Sequence, residues 1–240
     1  MRLAIFRNES SSHEIDSGGA PVRSTLPKSG SDNSTRWLAT LLVSFVAILI
    51  WSGYAPADRF IWILEASPAA IYAAVLLALY PRVRLTMLVY GLIWLHAAVL
   101  LVGAHWTYAE VPIFDWLQDE YGLARNYYDR VGHVFQGLVP AMIAREVFIR
   151  ADVVRGPVWL YSMVCCVVLA ISAFYELAEW WIAVASGSAA DAFLATQGDV
   201  WDTQWDMFLA LSGAAVVQPL LGPWHDRQLV ALGRQHQAVT

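Results

Sequence analysis

Three pairs of ionisable side chains stand at helical spacing in segments that are otherwise apolar. The pairs are Asp129 with His133, Glu176 with Glu179, and Asp202 with Asp206. Residues three or four apart lie on the same face of a helix, so each pair can point into one pocket. Carboxylate and imidazole groups are the ligands that Mg²⁺, Mn²⁺, Zn²⁺ or iron accept. Without a metal, crowded carboxyls would hold protons, which suits acid–base catalysis or proton-coupled transport.

The strongest indication of a site comes from the middle pair, because it lies well inside an apolar run. A charged side chain at the centre of a bilayer costs roughly 2.5–3.5 kcal/mol on insertion scales, so Glu176 and Glu179 require a partner or a role. If the three helices pack as neighbours, one His and five carboxylates surround a single pocket. His105 is a further candidate member, and Asp199 and Gln136 are candidate supporting residues.

Simpler roles remain open for the same residues. Asp202 and Asp206 could only stabilise the positive N-terminus of their helix, worth about 0.3–1 kcal/mol, and Asp129 could do the same for its own. An acidic rim facing water is also typical of an external loop. His96 stands alone on an apolar helix face, which is typical of a hydrogen-bonded interior residue. The charged residues of 145–152 are typical of a salt-bridged cytoplasmic rim.

The composition indicates a membrane protein. Of 240 residues, 58% are hydrophobic and only 15% are charged, whereas a soluble domain carries about 25% charged residues. The net charge is −5 and no basic cluster occurs, so the sequence predicts no nucleic-acid partner. Cys165 and Cys166 are adjacent in an apolar run, which supports neither a disulfide framework nor a cysteine metal site. The expected partner is the lipid bilayer.

Six apolar stretches predict an all-α polytopic membrane protein with about six transmembrane helices, since about 20 helical residues cross a bilayer core. The predicted spans are about 37–54, 60–80, 86–106, 131–149, 157–184 and 203–221. The predicted organisation is a disordered cytoplasmic tail over 1–36, the transmembrane domain over 37–221 and a cytoplasmic C-terminal tail over 222–240. The tail over 1–36 is rich in Ser, Gly and Asn and lacks the apolar region of a signal peptide.

The distribution of basic residues predicts the orientation. Twelve of the 15 Lys and Arg residues fall in the two tails and in the loops on the same side of the membrane as the tails. Only three fall in the loops on the opposite side, namely Arg59, Arg125 and Arg130. Because basic loops stay in the cytoplasm, both termini are expected there. The pocket would then lie near the external side of the membrane. The external run from Tyr108 to Tyr128 is either a short interfacial helix that covers the pocket or a connector with aromatic anchors.

Several irregular motifs resemble the YjdF-like family of bacterial inner-membrane proteins, a family without an assigned reaction. The matching motifs are RNYYDRVGH at 125–133 with Gln136, Gly137 and Pro140, FYE at 174–176 with Glu179 and Trp180, DAFL at 191–194, and QGDVWDTQ at 197–204 with Asp206 and Met207. The resemblance covers about residues 37–221. It implies a multi-pass inner-membrane protein, and it implies that the six paired residues form the centre of a shared site.

Three roles are weighed for this site. In the first, a divalent metal polarises an ester or phosphate of a lipid or other envelope substrate and activates water for hydrolysis or group transfer. Its predicted ligands are His133, Glu176, Asp202 and Asp206, with Glu179 or Asp129 as base. In the second, the same acids bind a cation or relay protons in a proton- or cation-coupled transporter. A structural module, in which polar groups only hold helices together, is the third. No G-x-S-x-G nucleophile motif is present.

Overall fold

The computed structural model describes residues 29–186 and 196–237, with side chains over 33–186 and 196–233. Within these ranges the chain forms seven helices and no strand. The helices are α1 (Ser29–Gly53), α2 (Arg59–Leu79), α3 (Met87–Trp106), α4 (Pro112–Tyr121), α5 (Tyr128–Arg150), α6 (Pro157–Ser186) and α7 (Asp202–Gln237). The predicted all-α class is confirmed.

Five of the described helices are long and apolar enough to cross a membrane, namely α1, α2, α3, α6 and α7. This confirms a polytopic architecture. Helix α5 has 23 residues, which extend about 34 Å and would also cross a bilayer core. Its ends are charged, however, from Asp129 and Arg130 at one end to Glu146 and Arg150 at the other. The sixth span therefore stays a prediction.

Helix α5 lies inside the bundle, where it packs most extensively against α7 and also contacts α6 and α3. The backbones of α5 and α7 come into direct contact at two glycines. A Cβ atom added to Gly137 would lie only 1.9 Å from the carbonyl oxygen of Ala210, and one added to Gly213 would lie 2.5 Å from that of Val134. Small residues at such crossings let membrane helices approach closely. Of the charged residues at its ends, Asp129, Arg130 and Glu146 are buried, whereas Arg150 is exposed.

Helices α1 and α2 pack against α3 on the other side of the bundle. The apolar core there includes Ala69, Leu101 and Ala104. The hydroxyl of Ser52 donates to the Leu101 carbonyl oxygen at 2.6 Å and accepts from the Trp62 indole N–H at 2.9 Å. These bonds fix the end of α1 against both of its neighbours.

Three connections meet at one end of the bundle, which we call the α4 side. They join α1 to α2, α3 to α5 through α4, and α6 to α7. The Ala57 N–H donates to the His105 carbonyl oxygen at 2.9 Å, and the Gln197 amide accepts from the Asn126 N–H at 2.9 Å. The Tyr108 hydroxyl donates to the Glu65 carbonyl oxygen at 3.4 Å. Burial raises the pKa of Tyr108 well above its ordinary value, so this phenol stays protonated.

The run predicted as an interfacial helix or a connector contains the ten-residue helix α4. Ile113, Trp116 and Tyr121 are exposed on it. Aromatic and branched side chains on a short helix of this kind are typical of an interfacial position.

The first and last helices extend beyond the predicted spans. Helix α1 begins at Ser29 and α7 continues to Gln237. Residues 1–28 and 238–240 lie outside the described residues, as do 187–195 with the predicted motif at 191–194. The two cytoplasmic tails therefore stay predictions.

Candidate functional site

Helices α5 and α7 bring an imidazole and two carboxylates together on the α4 side. His133 Nε2 lies 3.5 Å from Asp129 Oδ1 and 3.8 Å from Asp206 Oδ1. One ligand atom from each residue lies within 4.8 Å of the other two, and all three side chains are buried. The i,i+4 spacing of Asp129 and His133 puts both on the face of α5 that meets the first turns of α7. This is the metal-ligand geometry that the structure forms among the described residues.

The other ring nitrogen of His133, Nδ1, lies close to one side chain of α5 and one of α6. Nδ1 lies 2.9 Å from Gln136 Oε1 and 3.9 Å from Glu176 Oε1. A hydrogen bond from one ring nitrogen fixes the orientation of the imidazole and leaves the other nitrogen available as a ligand. Glu176 is 9% exposed, and its Oε1 has no hydrogen-bond partner among the described residues. This oxygen can pair with the imidazole when His133 is protonated.

Two arginines form ion pairs with the aspartates of the site. The guanidinium of Arg130 contacts Asp206 at 2.6 Å, Asp202 at 2.7 Å and Asp199 at 3.0 Å. Arg125 forms a close ion pair with Asp202 and lies 3.8 Å from Asp129. Because Asp202 is bonded to both guanidinium groups, it belongs to the arginine network rather than to the group around His133.

The buried charges of the site do not balance. Four carboxylates are buried, namely Asp129, Glu176, Asp202 and Asp206, against two buried guanidinium groups, Arg125 and Arg130. With every one of these carboxylates ionised and His133 neutral, they would exceed the guanidinium groups by two negative charges. Burying an unpaired charge is expensive, so such groups are paired, protonated or bound to a metal. One divalent cation, or protons on His133 and a carboxyl, would balance the site.

The other candidate residues occupy different positions. Glu179 is half-buried one turn beyond Glu176 on α6. Asp199 bonds Arg130 and accepts from the Trp201 N–H at 2.9 Å. His105 lies apart from the site, because it stacks on Trp51 with ring centroids 4.4 Å apart and bonds the Ser52 carbonyl oxygen at 3.0 Å. Asp129 and Asp202 do lie in the first turns of α5 and α7, so the helix-terminus role coexists with the site.

The sequence interpretation missed the two arginines as site residues, because it counted them only as external basic residues. The available indication was their spacing, since Arg125 stands four residues before Asp129 and Arg130 directly after it. Asn126 was also missed. It is fully buried and donates to the Val111 carbonyl oxygen at 3.1 Å and to Asp115 at 2.7 Å. It therefore joins the α4 connection to the site.

A second buried polar cluster lies at the opposite end of the bundle. Glu146 is completely buried and accepts from the Thr86 N–H at 3.0 Å and from Arg150 at 3.0 Å. It also lies 3.1 Å from His225 Nε2, while Arg145 lies 2.8 Å from the other nitrogen of that ring. These bonds join the beginning of α3 to α5 and α7. The predicted salt-bridged rim is thus partly an interior cluster at this end.

Two buried groups between these clusters lack complete hydrogen bonding. His96 on α3 is 2% exposed, and neither ring nitrogen has a partner in the described part of the chain. Glu65 on α2 is 1% exposed. Its Oε1 accepts from the Tyr108 N–H at 3.4 Å, while its Oε2 has no partner among the described groups.

Comparison with known proteins agrees with the resemblance found in the motifs. The profile of a family described as "Predicted membrane protein (DUF2238)" matches residues 37–227. The inner membrane protein YjdF of Escherichia coli strain K12 is 50% identical over 196 residues, which cover 82% of this chain and 94% of that protein. No solved structure matches. The matched region contains every residue of the site.

Proposed function

Because the chain belongs to the DUF2238 family and is a multi-pass inner-membrane protein of the YjdF-like kind, we propose that its α5–α7 site binds a divalent metal cation. The bound cation serves hydrolysis or group transfer on a lipid or other envelope substrate. The observation that carries the proposal is the convergence of Asp129, His133 and Asp206.

The distances of this group suit a small cation. Two ligands about 2.1 Å from a metal at a tetrahedral angle are about 3.4 Å apart. The separations of His133 Nε2 from Asp129 Oδ1 and Asp206 Oδ1 are 3.5 and 3.8 Å. Asp206 Oδ1 also accepts from Arg130, and a carboxylate has lone pairs enough for both contacts. The two uncompensated charges match a divalent ion.

The remaining groups suit supporting roles. Asp202 holds Arg125 and Arg130 in place; Arg130 in turn positions Asp206, while Arg125 lies near Asp129. Glu176 faces the opposite ring nitrogen of His133 from α6, so in this arrangement it orients the imidazole and is not one of the three ligands. A metal polarises an ester or phosphate and makes bound water acidic near neutral pH. Glu179, half-buried beside this group, would accept the proton of that water.

The proposed orientation puts the α4 side outside and both termini in the cytoplasm. It is supported by the arginines of the opposite end, which include Arg82, Arg84, Arg150 and Arg155, since basic loops remain inside. Reporter fusions at residue 240 and within the α4 connection test it. A cytoplasmic reporter active at residue 240 and an external reporter active in the connection are expected, and the reverse pattern would overturn the orientation.

The metal proposal is tested by the metal content of the purified protein. We expect about one equivalent of Mn²⁺ or Zn²⁺ after loading and dialysis, and a loss of at least tenfold in affinity for Asp206→Asn and for His133→Gln. Asp119→Asn is the matched control, because this carboxylate is exposed on α4 at the same side. Equal binding by all three variants would contradict the proposal.

A transporter is the second candidate, favoured by His96 and Glu65. Both are buried in membrane-crossing helices with incomplete hydrogen bonding, and such intramembrane groups are typical of proton or cation pathways. Proteoliposomes with a pH-sensitive dye inside measure the transfer. If the protein is a transporter, an imposed pH gradient acidifies the vesicle interior, and His96→Leu lowers the rate of acidification at least tenfold. Equal acidification by that variant and the parent protein, or none by either, would reject it.

A further inference from the structure

An apolar groove lies between α1 and α2, with α3 as its floor. On the α4 side the two helices touch, because Trp62 bonds Ser52 and packs against Gly53. Away from that contact they separate, and the space between them encloses about 290 Å³. The volume is that of roughly ten water molecules in the liquid. The groove is therefore closed at the α4 side and extends toward the opposite end of the bundle.

The lining of the groove suits a hydrocarbon chain. It includes Leu38, Leu42, Ala73, Leu76, Ile93 and Trp94, and no acidic or basic residue is part of it. Such an apolar lining favours the burial of a hydrocarbon chain.

Positive charge surrounds the end of the groove that is away from the α4 side. Arg36 follows the lining residue Thr35 on α1, and Arg82 and Arg84 follow the lining residue Tyr80 in the connection from α2 to α3. All three arginines are exposed. The guanidinium of Arg84 lies 5.2 Å from the centre of the Tyr80 ring.

The acidic groups described at this end are engaged elsewhere. Glu146 is bonded to Arg150 and His225, and Asp152 is paired with Arg155 at 2.6 Å. Asp226 is paired with Arg145 at 2.8 Å. The charge around the groove end is therefore positive on balance, which suits an anionic group.

We propose that the groove binds one acyl chain of an anionic phospholipid, with the headgroup phosphate at Arg82 and Arg84. The apolar lining accounts for the chain and the arginines account for the headgroup. In the orientation proposed above this lipid belongs to the cytoplasmic leaflet, but its binding to purified protein does not depend on that orientation or on the metal site.

Native mass spectrometry of the detergent-solubilised protein, titrated with phosphatidylglycerol or phosphatidylcholine, tests the proposal. Ala73→Trp fills the groove, whereas the adjacent Ala74→Trp adds the same ring to an exposed position of α2 that is not part of the lining. We expect the monomer to retain phosphatidylglycerol, and Ala73→Trp to weaken that binding at least tenfold while Ala74→Trp leaves it unchanged. Equal binding by the two variants would overturn the proposal.

The headgroup is tested without altering any groove side chain. The double variant Arg82→Gln/Arg84→Gln should weaken phosphatidylglycerol binding about tenfold or more and leave phosphatidylcholine binding unchanged. The matched control is Arg227→Gln, an exposed arginine of α7. Equal affinity of the parent protein for the two lipids would refute the anionic preference. If the parent protein is instead a dimer without bound lipid, and Ala73→Trp converts it to monomers, a second copy of the chain occupies the groove. That result would overturn the proposal.

Discussion

Replacing Gly137 by alanine tests whether direct backbone contact between α5 and α7 holds the site together. The added Cβ would lie 1.9 Å from the Ala210 carbonyl oxygen, whereas ordinary contact begins at 3.4 Å, so the helices must separate by about 1.5 Å. The neighbouring atoms are backbone and cannot rotate away. Overpacking of this kind typically costs 1–3 kcal/mol, and we expect at least about 2 kcal/mol here. Separation would also move Asp206 away from His133.

The matched control is Gly132→Ala, because a Cβ there meets no atom within 4 Å and the residue lies in the same helix. Alanine has the higher helix propensity, so this variant should be neutral or stabilised by up to about 1 kcal/mol. Unfolding in mixed micelles with increasing SDS measures both variants, and metal affinity gives a second readout. Equal stability of the two variants would refute the proposed backbone contact.

Three further predictions concern the buried polar groups. Arg130→Gln should destabilise the protein by about 3–5 kcal/mol in the same unfolding assay, because it leaves Asp202 and Asp206 short of a buried partner; a loss no larger than that of the exposed pair variant Arg155→Gln would contradict this. Asn126→Ala should cost about 1–3 kcal/mol and speed proteolysis within the α4 connection, and an unchanged cleavage rate would count against its linking role. Glu146→Gln should lower stability by about 3 kcal/mol through loss of its buried ionic partners, which equal melting of variant and parent would disprove.

The sequence alone predicts the class of fold and much of the site. Hydropathy locates α1, α2, α3, α6 and α7 because each carries a long apolar run, and the i,i+3 and i,i+4 spacings of acids identify the residues that meet. The predicted span over 131–149 falls within α5, whose ends are charged and which packs against α3, α6 and α7. Helix periodicity cannot report which neighbours surround a helix.

The division of the acids between arginines and the imidazole could not be predicted. Asp202 and Asp206 have the same residue type and lie one turn apart, yet Asp202 is bonded to Arg125 and Arg130 while Asp206 also faces His133. That difference depends on how the connection before α5 folds against the start of α7. The local spacing of residues carries no information about such long-range contacts. The groove between α1 and α2 likewise depends on how the two helices diverge.

The most direct measurement is electron spin-echo spectroscopy of the Mn²⁺-loaded protein in micelles, which detects nitrogen nuclei bound to the ion. The structure predicts coupling to a single imidazole nitrogen, from His133, that disappears in His133→Gln and persists in His105→Gln. A bound ion that couples to no imidazole, or that keeps its coupling in His133→Gln, would contradict a metal centre between α5 and α7.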